Sequence, residues 1–513
     1  MPLARMTSPA FDAVELHSFI DAESWWETLP VNQATVNTRA INRSRPLAKG
    51  AALLRENVLF TTLFAVGALL RIVVFFTYQP ALLLQRDTIA FLRQALKGSA
   101  SGLRPSLYPT LLKPVLALNN LALVPFIQHA LGLGIALLLY ILLRRLGASP
   151  TFGALGAAPM LLDGYQLIIE QYVLTETLFV ALVVSAVAVL LWRAQPHPAA
   201  LAGVGALVAL SGLTRFVGLA LIGPVLLFAV IRRFGWLRVF CLTLGFVLPV
   251  VTYGTWFRVA EGSWGLTNRN GFILYGRVAS FASCEGVEVP PSQRGLCIEH
   301  ALGQGFANRG FWALDVPQEL IDLPDANHVF LSFSRRMILA KPLQYANVVG
   351  HDFLRFFAAR SPSSQEPYVA RWRFPRKLED ADPHPVVRAL GGSAPPRLEL
   401  AEFRIAPGPA AALRLYQGVI YTYGPLLGAL LIAGLAGSWA FGRRWRDDHQ
   451  GVACLLLSLL GVVVLLAPVV TTVYHYRYVL PALPLLGAAG ALGATRLTKR
   501  RRQAPSLRFP LLL

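Results

Sequence analysis

Charge is what this 513-residue chain has least of. Asp, Glu, Lys and Arg make up 14% of it while 55% is hydrophobic, against about 25% charged residues in a typical soluble domain. Cysteine is scarce as well, with four in all and no Cys-x-x-Cys pair, and the nine histidines are scattered with no His-x-x-x-His. The usual zinc-site spacings are therefore missing. No Gly-x-Gly-x-x-Gly or Walker-type loop is present, so a nucleotide-driven pump has no support. No internal repeat of the kind that builds secondary transporters is visible. What the chain has instead is apolar runs, about ten of them, of the length that crosses a hydrocarbon core (about 20 residues). A soluble enzyme, a disordered chain and a secreted scaffold are excluded, and a polytopic membrane protein is predicted.

The apolar stretches lie at 58–78, 120–143, 151–169, 174–192, 199–214, 216–231, 236–257, 415–441, 451–470 and 478–495, and each reads as a span. A single helix over 199–231 would be about 50 Å long, beyond a core of about 30 Å. Two short spans meeting at Leu213-Thr214-Arg215 fit better, with Arg215 emerging on the outer side. Positive charge orients the set. The proposed inner segments hold 21 Lys and Arg and the short outer ones seven, so both termini are expected in the cytoplasm. No cleavable signal is expected, because the first apolar run begins near Val58 behind a polar tail. Arginine outnumbers lysine 41 to 6, which with the Ala, Gly, Pro and Leu load suggests a G+C-rich bacterial genome and a bacterial cytoplasmic membrane. The net charge of +20 needs no nucleic-acid partner.

These boundaries give a mainly α polytopic bundle. A cytoplasmic tail (1–57) precedes an N-terminal transmembrane catalytic module (58–257) whose first outer loop is 79–118. An extracytoplasmic domain (258–413), α/β or mixed, comes next, then C-terminal spans (414–497) and a basic cytoplasmic tail (498–513). In the first outer loop the spacing of Phe91, Leu92, Ala95 and Leu96 suggests a short amphipathic helix lying on the membrane. Cys284 and Cys297, 13 positions apart in the outer segment, would form a disulfide worth about 3 kcal/mol in an oxidising compartment, or stay as two thiols.

The first outer loop reads Arg86-Asp87-Thr88, then Phe91-Leu92-Arg93, then Arg104-Pro105-Ser106-Leu107-Tyr108-Pro109. One carboxylate, Asp87, sits among cations just past the end of the first span. For transfer of a sugar from a lipid phosphate to a hydroxyl, the leaving phosphate is already a weak base and no general acid is needed. One base for the acceptor's proton and cations for the phosphate suffice. A lone acid in a basic juxtamembrane helix also reads as a solvated charge or a phospholipid anchor.

The string Asp87-x-x-x-Phe91-Leu92-x-x-Ala95-x-x-x-Gly98, with Arg104-Pro105-x-Leu107-Tyr108-Pro109, resembles the first-loop signature of the GT-C membrane glycosyltransferases. Within these it is most similar to the protein O-mannosyltransferase and aminoarabinose-transferase-like group. Thr175-Glu176-Thr177-Leu178-Phe179, Ser211-Gly212-Leu213-Thr214-Arg215 and Arg477-Tyr478-Val479-Leu480-Pro481 resemble further motifs of that group, in order. The resemblance implies that Asp87 is the site carboxylate, with Glu176 or Glu170 as a second acid. It implies that Arg215 and Arg477 lie near the lipid phosphate with Arg86 and Arg104, and that Tyr108 shapes the pocket. Two departures stand out: Thr88 replaces a second acid found in many relatives, and Phe91 replaces the usual tyrosine. Segment 258–413 carries no motif of the family.

Several residues keep a second reading. Glu176 also reads as the capping acid of a helix, and Arg71, within the first span, as a side chain that snorkels outward. Asp380-Ala381-Asp382 has a cation-binding pattern but reads as a solvated loop. No cofactor is expected, and a divalent cation has no support. The expected activity is inverting transfer of a sugar from a polyprenyl-phosphate donor, outside the membrane, to a glycan, lipid or protein of the cell envelope. A non-catalytic lipid-linked-sugar carrier and an envelope-assembly scaffold are the alternatives.

Overall fold

The structure is a computed structural model that describes residues 56–98, 104–297, 318–359, 372–377, 403–439 and 447–503. The N-terminal tail up to residue 55, the Asp380-Ala381-Asp382 triplet and the end of the basic C-terminal tail lie outside the described residues. Five helices are long and apolar enough to cross a membrane: α1 (Val58–Thr77), α4 (Leu123–Arg145), α10 (Trp236–Glu261), α16 (His449–Thr471) and the helix over Tyr476–Lys499, whose α-helical part is α17 (Val479–Gln503). The count rises to seven if each of two bent pairs is one span. The pairs are α5 (Pro150–Leu162) with α6 (Gly164–Gln171), bent by 48°, and α14 (Pro407–Val419) with α15 (Gly424–Trp439), bent by 52°. Three apolar helices are shorter: α7 (Glu176–Leu191), α8 (Pro198–Thr214) and α9 (Val217–Ile231). Each of the ten predicted stretches is thus helical, with five meeting the span length unaided. The remaining helices used here are α2 (Gln85–Lys97), α3 (Leu107–Ala117), α11 (Asn270–Val278), α12 (Ala326–Ala340) and α13 (Pro342–Arg355).

Large apolar side chains stand exposed along the outer faces of α1 and α10, among them Leu69, Ile72, Phe76, Leu244, Leu248 and Val251. In water such faces would be a liability; in lipid they need no cover. Where α8 and α10 meet, Gly205 and Gly245 bring the backbones together: a Cβ on either would stand 2.1 Å from a carbonyl oxygen of the other helix. Small residues at such crossings are how apolar helices associate when burial offers no hydrophobic gain.

The two bends dock on one another. Asp163 ends α5 and caps α6, its Oδ1 accepting from the Tyr165 and Gln166 amides at 2.8 and 3.2 Å. Its Oδ2 accepts from the Thr422 amide, at the break between α14 and α15, at 2.6 Å. Gly164 donates its amide to Ile420 O at 3.0 Å, and a Cβ there would meet Gln417 Cα at 2.8 Å. Backbone groups freed by breaking two apolar helices are therefore satisfied by each other, as a membrane interior requires.

Arg71, inside α1, is 2% exposed and does not snorkel. Its Nε and Nη2 each donate to Glu170 at 2.8 Å, Nη1 to Gly67 O and Leu161 O at 3.1 and 3.0 Å, and Nη2 to Met160 O at 2.8 Å. The carbonyls left open at the end of α5 are thus capped from a neighbouring helix. His129 Nδ1 lies 2.9 Å from Glu170 Oε2, and Gln166 donates to Glu170 Oε1 at 3.0 Å.

The described part of the expected α/β outer domain is helical, apart from a two-residue strand, β2 (Arg404–Ile405). It pairs antiparallel with β1 (Tyr78–Gln79) at the end of α1. Tyr275, Val278, Phe330, Phe333 and Met337 form a small core of their own beneath α11 and α12, and Cys284 and Cys297 are joined in a disulfide beside it. This segment grips the end of α16. Buried Arg277 donates to Asp352 at 2.7 Å and to Val469 O at 3.1 Å; Tyr345 donates to Val470 O at 2.8 Å; Asp352 accepts from the Tyr474 amide at 3.3 Å.

Candidate functional site

Two carboxylates and three arginines meet where α8 ends and α2, α7 and α17 begin. Asp87 occupies the first turn of α2 and Glu176 the first turn of α7, positions that favour acids because unpaired amides concentrate positive potential there. A short bridge brings the two turns together. Leu82 pairs with Tyr172, its amide donating to Gln171 O at 3.0 Å while Val173 donates to Leu82 O at 3.1 Å. Thr88 completes it: fully buried, it donates to Val173 O at 3.2 Å and accepts from the Leu84 amide at 2.9 Å. The residue that stands where many relatives have a second acid therefore faces the backbone at Val173, three residues before Glu176. A carboxylate there would meet a carbonyl oxygen without water.

Each Asp87 oxygen has its own guanidinium. Arg104 binds Oδ1, and Arg477 Nη1 binds Oδ2 at 2.5 Å. Arg477 also reaches Glu176, its Nε lying 3.2 Å from Oε1, and the same oxygen takes Arg215, which donates to Thr175 Oγ1 at 3.2 Å as well. The chain Arg104–Asp87–Arg477–Glu176–Arg215 leaves one positive charge over. The Asp87, Arg104, Arg215 and Arg477 side chains are between 13% and 20% exposed, whereas Glu176 is 2% exposed. Burial alone would raise the Asp87 pKa, but Arg477 and Arg104 outweigh it and hold the carboxyl well below the usual carboxylate range.

Aromatic rings frame the arginines. Arg477 lies 5.3 Å over Trp372, Arg215 5.8 Å over Tyr478 and Arg104 5.6 Å over Phe91, within cation–π range. His475 packs against both Trp372 and Tyr478, and its Nδ1 accepts from the Arg477 amide at 3.3 Å. Burial and the neighbouring Arg477 push His475 down to about 3, so it serves this turn as a neutral acceptor.

The structure thus brings together Asp87, Glu176, Arg104, Arg215 and Arg477. Tyr108 lies behind them, edge-on to Phe91 at 5.4 Å, with its hydroxyl donating to Gln128 at 3.1 Å. It builds the wall, its hydroxyl committed to Gln128 yet near enough to Glu176 to feel that charge. The apolar face of α2 is likewise turned inward, with Phe91, Leu92 and Ala95 buried against the core, so this helix rests on protein where the sequence suggested lipid. The Arg86 side chain lies outside the described set. Glu170 is fully buried and committed to Arg71. Sequence reasoning missed His475, for which the His-x-Arg spacing was the available signal; Trp372 belongs to the aromatic–arginine run at 371–377, which reads equally as a carbohydrate-stacking cluster or as folded surface. Among the described residues no group of three His, Cys, Asp or Glu is placed to hold a metal ion.

Fold and site define a multi-pass membrane protein with an arginine-rich cluster where apolar helices end. No family model matches the chain, and no curated protein matches it. Three solved structures resemble it at low similarity. The S. cerevisiae protein O-mannosyltransferase Pmt1-Pmt2 complex, bound to the sugar donor, is 19% identical over 45% of this chain and 38% of its own, at TM-score 0.33. The Archaeoglobus fulgidus oligosaccharyltransferase, tethered to an acceptor peptide, is 12% identical over 87% of this chain and 50% of its own, at 0.37. ArnT from Cupriavidus metallidurans, bound to undecaprenyl phosphate, is 16% identical over 86% of this chain and 78% of its own, at 0.32. The chain spans 38% and 50% of the length of the first two. A likeness of this size carries no functional argument.

Proposed function

We propose that the chain is an integral membrane glycosyltransferase that moves a sugar from a polyprenyl-phosphate donor to a cell-envelope acceptor at the outer face of the cytoplasmic membrane. The observation that supports this most is the convergence of Asp87 and Glu176 with Arg104, Arg215 and Arg477, partly open to solvent, at the ends of apolar helices. A lipid donor presents its phosphate at that level, and guanidiniums match phosphate oxygens with paired, charge-assisted hydrogen bonds. In this reading the acceptor hydroxyl attacks the anomeric carbon as the bond from that carbon to the phosphate oxygen breaks. The hydroxyl proton passes to Asp87, and polyprenyl phosphate leaves with the electron pair, held by the arginines. A single direct displacement inverts the anomeric centre. Module 58–257 would carry the chemistry, the outer segment 258–413 would select the acceptor, and both termini would lie in the cytoplasm.

The test offers labelled polyprenyl-phosphate sugars and an envelope extract to wild type and Asp87→Asn in lipid, reading sugar transferred and polyprenyl phosphate formed. Loss of a general base lowers transfer by about 10²–10⁴-fold, with donor binding kept. Equal transfer by both proteins removes Asp87 from the chemistry. Donor binding by wild type without turnover points to the carrier or scaffold.

A further inference from the structure

We infer that Asp87 holds the guanidinium faces that a phosphoryl group takes on binding, so that lipid phosphate frees its own base. This rests on the reading above and adds an order of events to it. Both oxygens of Asp87 are committed to arginines, Oδ1 to Arg104 and Oδ2 to Arg477. A carboxylate held by a guanidinium on each oxygen keeps lone pairs but has too little basicity to take a proton from a hydroxyl. The two arginines it holds are reachable from solvent, at 20% and 16% exposed, and they stand beside Arg215. Glu176 is sealed at 2% exposed and takes Arg215, Arg477 and Thr175 around it, so of the two acids Asp87 is the one that gives way. A phosphate oxyanion is at least the carboxylate's equal for a guanidinium and engages more than one at once. Its arrival exchanges the Asp87 contacts for phosphate contacts and leaves a carboxylate free to accept a proton. Donor therefore binds before the acceptor can be activated, and water is not activated before donor binds. The product, a phosphate monoester with more charge than the diester donor, holds the same arginines more strongly, so polyprenyl phosphate inhibits its own formation.

Competition predicts a gain where a catalytic residue is lost. The experiment measures the affinity of polyprenyl monophosphate for the full-length protein in lipid nanodiscs, for wild type, Asp87→Asn and Glu261→Gln. Glu261 is an exposed acid at the end of α10, and Glu261→Gln controls for removal of one negative charge. Asp87→Asn is expected to bind about tenfold more tightly than wild type, with Glu261→Gln unchanged. The gain should recur with inorganic phosphate and vanish with polyprenol. Equal or weaker binding by Asp87→Asn overturns the competition while leaving the proposed function in place. Equal tightening by Asp87→Asn and Glu261→Gln, or tightening towards polyprenol, also overturns it. Failure of wild type to bind polyprenyl phosphate at all overturns the proposed function with it. Asp87→Ser, which removes the same carboxylate, carries the same expectation should Asp87→Asn not fold.

Discussion

Replacing Arg71 by methionine, close to it in volume, isolates what the buried ion pair does. The guanidinium makes two bonds to Glu170 and three to carbonyls of Gly67, Met160 and Leu161. Arg71 and Glu170 are 2% and 0% exposed, so no water reaches the acid once its partner is gone. Removing one member of a buried pair costs about 3–5 kcal/mol, because the other is left as an uncompensated charge. His129 and Gln166 still face Glu170, which argues for the lower end. At about 1 °C per kcal/mol for a chain of this size, Arg71→Met should unfold about 3 °C or more below wild type. The double variant Arg71→Met with Glu170→Gln should recover part of the loss, since no buried charge remains and only the α5 carbonyls stay open. Thermal unfolding of the four proteins in one detergent closes the cycle. A single variant within 1 °C of wild type, or a double variant no better than the single, would refute the reasoning.

Thr88→Val deletes two buried hydrogen bonds and should cost about 1–3 kcal/mol, with Thr88→Asp more damaging still; unfolding midpoints rank them. The pH dependence of stability follows from Asp87, whose carboxyl is held low by Arg477 and Arg104 against burial. A group depressed in the native state stabilises above its unfolded pKa, near 3.9, and loses that contribution as pH falls through the native value. The Asp87 contribution should therefore stay flat from neutral pH down to about pH 5, and Arg104→Gln should move the completion of its loss to higher pH in melts taken across the acid range. Cys284→Ser with Cys297→Ser should cost about 3 kcal/mol, seen as faster hydrogen exchange over α11 and α12 with transfer of sugar retained.

Helices were legible because their signal is local. Every apolar run longer than a few turns became helical, and Asp87, Glu176, Arg215 and Arg477 each stood at the end of one. The bends were not legible. Whether 151–169 stays straight depends on Asp163 finding Thr422, some 260 positions on, and no periodicity records such a partner. Arg71 shows the same limit from the other side. An arginine inside a span announces that something must pair with it, and Glu170 was in view as an acid, yet only packing joins α1 to α6. The departure at Thr88 was visible as a missing acid, whereas its reason, a hydrogen bond to Val173 O, required the strand bridge.

The grip of Arg277, Tyr345 and Asp352 on the end of α16 bears on how this chain can be recombined. The four residues from 472 to 475 link that helix end to the turn bearing Arg477, and segment 258–413 holds both the last turn of α16 and the Tyr474 amide. Segment 258–413 and the Arg477 turn are thus geared together through a connector too short to absorb slack. A chimera that exchanges segment 258–413 alone would import a foreign gear tooth, and transfer should survive only when 469–475 travels with it.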